Sequence, residues 1–237
     1  MQECRVLACN RNANHSRDKF CAQQLFKHYH VTCLQETSFS SSHDAKTFQA
    51  QVNAEYKNTM FVNDRGTSSD VRLHGKHGGV CTILHTDFSG SDTATHMAEL
   101  DVPDRYMVVQ VKWGQTDVYI HNVYAPAQAA DRTAFFESLL RSFAHRSIHI
   151  VCGDVNSPLN PALDAHNPST VHIASNRALL EWTWDLGVTD PWRIHHPDDR
   201  VFSGPGRVTA LTTSSFPTAS KKSTSLPLNT ANPKCAE

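Results

Sequence analysis

What the chain lacks narrows what it can do. No run approaches the ~20 consecutive apolar residues that a bilayer-spanning helix requires, and Met1-Gln2-Glu3-Cys4-Arg5 leads straight into a strand-like segment without a secretory leader. An intracellular protein is expected, cytoplasmic or nuclear, neither secreted nor held at a membrane. Positive charge is not in surplus: 22 Lys and Arg against 23 Asp and Glu leave a formal net charge of -1. Attraction to a polyanion must therefore come from a local basic surface. The seven cysteines form an odd set with no CxxC pair. Cys9, Cys33, Cys81 and Cys152 lie inside apolar runs, which describes reduced core thiols and not a disulfide framework. His28 with His30, His74 with His77, and His195 with His196 lack the HExxH arrangement or the cysteine partners of a zinc site, and read as solvated or polar-core residues. There is no internal repeat, and nothing in the sequence points to a protein partner.

What is present alternates short apolar runs with amphipathic stretches. A chain of 237 residues suits one domain with a core that needs no disulfide or metal staple. Strands are expected over 5–9, 31–34, 59–62, 79–84, 106–112, 117–123 and 148–152. Turns fall at Asp64-Arg65-Gly66 and at Trp113-Gly114-Gln115, the second joining two strands into a hairpin. Helices are expected over 17–28, over 132–145, where Phe135, Phe136, Leu139, Leu140 and Phe143 recur at helical spacing, and over 176–186. Strand-helix-strand succession favours a layered α/β structure. From about Thr209 the pattern dissolves into Ser, Thr, Pro, Lys and Ala, too poor in apolar surface to offset its ordering entropy. The expected organisation is one domain over 1–208 and a disordered tail over 209–237.

Three islands carry the chemistry: Cys33-Leu34-Gln35-Glu36-Thr37, His121-Asn122-Val123-Tyr124-Ala125-Pro126 and Ile150-Val151-Cys152-Gly153-Asp154-Val155-Asn156-Ser157. Each is an apolar run ending in carboxylate, amide or phenol, as a buried strand does when it delivers polar groups at one end. Mg²⁺ takes oxygen ligands and keeps several waters, so Glu36 with the amide of Asn10 or Asn12 suits it. Asp154 and Asn156 alternate along the chain and are expected on one side of an extended segment. There the carboxylate can orient a water while the amide donates to a phosphate. Tyr124 adds a hydroxyl donor for developing charge. Taken singly, each motif is commoner as structure, Gly-Asp-x-Asn at turns and Tyr before Ala-Pro as packing. The joint order, each island closing an apolar strand, shifts the balance towards a site.

Together these islands resemble the endonuclease/exonuclease/phosphatase superfamily, over roughly residues 5–202. Asn10-Arg11-Asn12 looks like its Asn-x-Asn/Asp after the first strand, and Leu34-Gln35-Glu36-Thr37 like its metal-ligating Gln-Glu-Thr. Asn122-Val123-Tyr124-Ala125-Pro126 is similar to its Asn-x-Tyr-x-Pro, Gly153-Asp154-Val155-Asn156 to its Gly-Asp-x-Asn, and Gly78-Gly79-Val80 to its Gly-Val strand. A closer likeness is to the apurinic-endonuclease-like domain of non-LTR, LINE-type retrotransposons. It rests on Arg132 and Phe135-Phe136 after Tyr124-Ala125-Pro126, on Asp190-Pro191-Trp192-Arg193, and on His196-Pro197 before Arg200-Val201-Phe202. The resemblance implies a four-layer α/β sandwich, two packed mixed β-sheets flanked by helices, and Mg²⁺-dependent nicking of DNA, with Mn²⁺ as a possible substitute. It implies Glu36 with Asn10 or Asn12 as metal ligands, and Tyr124, Asp154 and Asn156 as catalytic residues. Asn122, Arg72 and Lys76 would touch substrate, although Arg72, Lys76 and His77 more often describe a solvated loop. The same islands also serve phospholipid and inositol-phosphate phosphodiesterases, and a catalytically dead relic with weak nucleic-acid binding is the remaining alternative.

One expected island is missing. The superfamily continues with Ser-Arg-Ile-Asp on a strand and ends with Ser-Asp-His, yet here no histidine follows His196. The resemblance therefore implies a sandwich without its last strands and a chain impaired or inactive as an enzyme. The segment Thr209-Ala210-Leu211-Thr212-Thr213-Ser214-Ser215-Phe216-Pro217 can be encoded as ACC GCA TTG ACT ACT TCT TCG TTC CCA. With the frame shifted back by one nucleotide, so that reading picks up at the third base of that string, it gives Arg-Ile-Asp-Tyr-Phe-Phe-Val, the absent strand. A frameshift near Val208, with an out-of-frame tail, is the expectation. Sequencing the locus should show codons compatible with this displaced frame, and codons that exclude it would refute the idea.

Overall fold

The computed structural model describes residues 4–11, 26–64, 78–165, 167 and 172–200, apart from the side chain of Asn10. Eight strands are formed among the described residues: β1 Val6–Asn10, β2 Val31–Gln35, β3 Asn58–Asn63, β4 Val80–His85, β5 Thr95–His96, β6 Tyr106–Trp113, β7 Thr116–Tyr124 and β8 Ile148–Asp154. They build two four-stranded sheets, ordered β1-β2-β4-β3 and β5-β6-β7-β8. Both sheets are mixed. β1 runs parallel to β2 and β7 parallel to β8, while the remaining neighbours are antiparallel.

The helices are α1 Ser42–Glu55, α2 Ala129–Ser138, α3 Pro161–Asp164, α4 Ile173–Asp185 and α5 Pro191–His195. Side-chain alternation along the strands divides the apolar residues among three interfaces. Val6, Val31, Cys33, Val80 and Leu84 of one sheet meet Met107, Val109, Val118, Ile120, Ile150 and Cys152 of the other. The outward residues Leu7, Leu34, Cys81 and Ile83 pack beneath Ala45, Phe48 and Val52 of α1. On the opposite outside, Tyr106, Val108, Val123 and Val151 are covered by Phe135 and Phe136 of α2 and by Ala178, Leu179 and Trp182 of α4. Helix, sheet, sheet, helix is the expected four-layer order. β2 is buried along its whole length, as a strand covered on both faces must be.

The expected strands form with ends displaced by a residue or two, and the hairpin turns at Gly114, whose φ of 62° a glycine takes without steric cost. Helix α1 was not anticipated. Its buried positions are only Ala45, Phe48 and Val52 in a polar context, but its start is marked: Ser41 accepts from the Asp44 amide, and Asp44 Oδ2 accepts from the Ser40 amide at 3.1 Å. The first is an N-cap bond, and the second ties the residue before the cap to the first turn. The helix expected over 132–145 stops at Ser138 because Leu139 turns extended. Phe143 instead packs its ring 4.7 Å from Tyr119 and 4.9 Å from His149. Of the helix expected over 17–28, only Phe26–His28 is described, as a 3₁₀ turn. The rest of it, Gly66 with its turn and the tail over 209–237 lie outside the described residues. Among the described residues the cysteines are free thiols, and no helix is long and apolar enough to cross a membrane.

Two buried histidines sit in a hydrogen-bonded chain between β6, β7 and β8. Tyr106 Oη lies 2.7 Å from His121 Nδ1, His121 Nε2 lies 2.9 Å from His149 Nδ1, and His149 Nε2 lies 2.9 Å from Ser147 Oγ. Rings of Tyr119, Phe143 and Trp182 surround them. Burial lowers His149 to about 4, and burial, then the neighbouring His149, pushes His121 well below its ordinary value. In the folded state both resist protonation. The unfolded chain takes up those protons as pH falls below about 6.5, so stability is full above that value and declines towards pH 4. Urea midpoints measured over this window should fall with pH, and the slope should be shallower in His149→Gln.

Candidate active site

The strand ends bring the three islands to one rim. β7 and β8 run parallel with Tyr124 opposite Asp154, and β1 ends with Asn10 opposite Gln35, the last residue of β2. Glu36 follows β2 directly and crosses to the other sheet: its Oε1 accepts from the Tyr124 hydroxyl at 2.8 Å. Burial first, then the Glu36 bond and charge, raise the Tyr124 phenol to about 12, against the opposing pull of Arg105. The phenol is therefore a protonated donor throughout the neutral range. The Arg105 guanidinium carbon lies 4.5 Å from the centroid of the Tyr124 ring, and the Tyr124 amide donates to the Arg105 carbonyl at 2.6 Å. Sequence reasoning missed Arg105. It stands just before β6 in a turn, with no periodic pattern to single it out.

Asp154 and Asn156 are neighbours for a different reason from the one expected. The strand stops at Asp154, and Asn156 takes a left-handed φ of 48°, so the pair does not share one face of an extended segment. A turn joins them: the Asn156 amide N–H donates to Asp154 Oδ1 at 3.0 Å, and Asn156 Nδ2 donates to the Ala125 carbonyl at 2.8 Å. Gly153, at φ 134°, permits the close approach of β8 to β7, since a Cβ there would fall 1.9 Å from the Val123 carbonyl oxygen. Arg132 of α2 donates to the carbonyls of Pro126 and Ala127, fixing the loop that follows Tyr124.

Asn122, expected to touch substrate, is fully buried. Its Oδ1 accepts from Gln35 Nε2 at 2.8 Å, and its Nδ2 donates to Cys81 O at 3.0 Å, Thr82 Oγ1 at 3.2 Å and Leu34 O at 3.3 Å. This corrects the expectation. The side chain ties the two sheets together, reaching from β7 to the side chain of Gln35 and to carbonyls of β2 and β4. The side chain of Asn10, and all of Asn12, Arg72 and Lys76, lie outside the described portion.

The donor set suits a hard cation that retains most of its water. Glu36 is partly exposed, and among the described residues its Oε2 has no hydrogen-bond partner. No group of three His, Cys, Asp or Glu gathers among the described residues, as a fully protein-ligated zinc would need. Mg²⁺, bound through one or two carboxylates and several waters, has no such need.

No family model matches the chain. A 178-residue stretch is 28% identical to the Transposon TX1 uncharacterized 149 kDa protein of Xenopus laevis, covering 74% of this chain and 12% of that protein. The chain thus spans about an eighth of that relative's length. The structure is similar to an AP endonuclease from Archaeoglobus fulgidus, with a TM-score of 0.61 at 20% identity over 89% of this chain and 84% of that one. It is also similar to the endonuclease domain of TRAS1, a telomere-specific non-LTR retrotransposon, with a TM-score of 0.52 at 11% identity over 79% and 74% of the two chains.

Asn122 supplies a test of the scaffold. Replacement by Leu would remove the bond from Gln35 and those to the Leu34 and Cys81 carbonyls and the Thr82 hydroxyl from the interior, at a cost of about 1–3 kcal/mol, read as a lower urea midpoint. The resemblance drawn from the motifs and these likenesses agree: the chain has the α/β sandwich fold of the AP endonucleases and of the TRAS1 endonuclease domain.

Proposed function

We propose that this chain carries the core of a DNA endonuclease that nicks a phosphodiester with the help of Mg²⁺, or of Mn²⁺ in its place, as in retrotransposon target-site cleavage. We infer further that the 237-residue polypeptide is impaired in that reaction. The observation that carries the reading is the 2.8 Å Tyr124–Glu36 bond across the two sheets, which sets a carboxylate, a protonated phenol and the Asp154–Asn156 turn at one rim. The fold it shares with DNA-cutting enzymes supports the same class of substrate.

In this reading Glu36, with Asn10 or Asn12, holds the cation. Bound there, the cation would polarise a phosphoryl oxygen and stabilise the leaving alkoxide. Asp154 orients the attacking water, and the Asn156 side-chain amide donates to a phosphate oxygen. Tyr124 gives a hydroxyl to the charge that develops. Arg72 and Lys76 would contact the DNA backbone. A proton acceptor equivalent to the superfamily's Asp-His is missing from the sequence, and such a group contributes roughly 10²–10⁴-fold. Residues that act as a unit do not keep their share when one partner is gone.

Supercoiled plasmid with Mg²⁺ should be nicked very slowly by the purified chain. Restoring the displaced frame after Val208, and with it the missing strands, should raise the rate by at least about 100-fold, and Glu36→Ala in the restored protein should abolish the gain. Rapid nicking by the unrestored chain, lost on Asp154→Ala, would overturn the impairment and leave the nuclease assignment standing. Cleavage of a phospholipid head group in preference to plasmid would overturn the assignment itself.

A further inference from the structure

We propose that Asp64 is a positioning residue for Glu36, acting through Thr37; its consequence for cation binding rests on the function proposed above. The backbone around Glu36 needs support, because Glu36 and Ser38 both take left-handed conformations, φ 53° and 46°. Non-glycine residues in that region are strained and persist only where surrounding bonds over-determine them.

The bonds are present. The Thr37 and Ser38 amides donate to the Gly79 and Gly78 carbonyls at 3.2 and 2.9 Å, and the Arg11 guanidinium donates to the Thr37 carbonyl. Asp64 grips the segment by its side chain: Oδ2 accepts from Thr37 Oγ1 at 2.6 Å and from the Phe39 amide at 2.9 Å. Those two donors flank Ser38. The carboxylate thus pins the chain on either side of one left-handed residue and immediately after the other.

Asp64 is 8% exposed and Thr37 is fully buried. A buried carboxyl must spend its acceptor oxygens on donors of the protein, and Asp64 does so on Thr37 and Phe39. The cradle is also shaped for it. Gly79 has φ 91°, and a Cβ there would lie 2.2 Å from both Asp64 Oδ2 and Thr37 Oγ1, so only glycine leaves space for this pair. Asp64 is the fixed end of a chain of contacts running through Thr37 to Glu36 and, by the next bond, to Tyr124.

Two readouts test this, one of them free of metal. In protein labelled with 3-fluorotyrosine, the Tyr124 fluorine resonance, assigned with Tyr124→Phe, reports the phenol's partner. Asp64→Ala and Thr37→Val should each move it towards its position in Glu36→Gln. Asp64→Asn, whose amide oxygen can still accept both bonds, should leave it near the wild type. Mn²⁺ affinity, followed by electron paramagnetic resonance, should fall about tenfold in Asp64→Ala, as for other residues that orient a ligand. Thr37→Val on top of Asp64→Ala should add nothing. An unmoved resonance in both Asp64→Ala and Thr37→Val overturns the proposal. So does an equal movement in Val52→Ala, a core variant remote from the rim, since that would signal general loosening. If Glu36→Gln leaves Mn²⁺ affinity unchanged, the cation reading fails, while the fluorine measurement still decides the role of Asp64.

Discussion

The amide of Asn122 is the constraint on which the rim depends. Two sheets packed through aliphatic side chains alone can slide, because dispersion and burial are non-directional. One buried amide that must satisfy Gln35, the Leu34 and Cys81 carbonyls and the Thr82 hydroxyl admits a single relative placement. Gln35 is one residue before Glu36, and Asn122 is two before Tyr124. Fixing the first pair therefore carries the second to hydrogen-bond distance at the strand ends. A slip large enough to break the Asn122 bonds would strand buried donors and acceptors, each at a cost of about 1–3 kcal/mol.

Beyond the tie, the rim is built from residues that leave their strands by left-handed turns. Glu36 does so after β2 and Asn156 after β8, and both would relax to ordinary backbone if their neighbours let go. Each is held by a carboxylate, Asp64 acting through Thr37 and Phe39 in one case and Asp154 acting on the Asn156 amide in the other. The strand ends supply position and these short side-chain bonds supply orientation. Strain of this kind concentrates at functional sites because reactive groups must project from a backbone that a regular strand would fold away.

The architecture was largely legible because it rests on periodicity. Runs such as Val31-Thr32-Cys33-Leu34 and Ile148-His149-Ile150-Val151-Cys152 are continuous enough to announce strands covered on both faces, and the Gly114 turn announces the hairpin. Helix α1 escaped because three buried residues in fourteen make a faint stripe, though Ser41 and Asp44 marked its start. The end of α2 escaped because aromatic contacts of Phe143 with Tyr119 and His149 outweigh helical continuation, and such contacts are tertiary. At the rim, Glu36, Tyr124, Asp154 and Asn156 were found as strand-terminal polar residues and do come together. Asn122 was misjudged because a polar residue in a motif gives no sign of its burial. Asp64 and Arg105 left no signal, because their partners lie 27 residues away in one case and 19 in the other, and only folding joins them.

The histidines show why retaining the rim does not by itself supply a proton acceptor. His121 belongs to one of the motif islands, yet both of its ring nitrogens are committed, one to Tyr106 and one to His149, in a fully buried site where desolvation disfavours its charged form. A general base must take up a proton and hold the charge while in reach of water or substrate. His121 meets neither condition without opening the layer between β7 and the helices. His149 is bound on both sides in the same chain, between His121 and Ser147. His196 is more accessible, with Nδ1 2.9 Å from an Asp199 oxygen and its ring stacked 3.8 Å from Trp192. That pairing has the chemistry of a base and its orienting carboxylate. Among these three histidines, only His196 is open to solvent, its side chain 39% exposed.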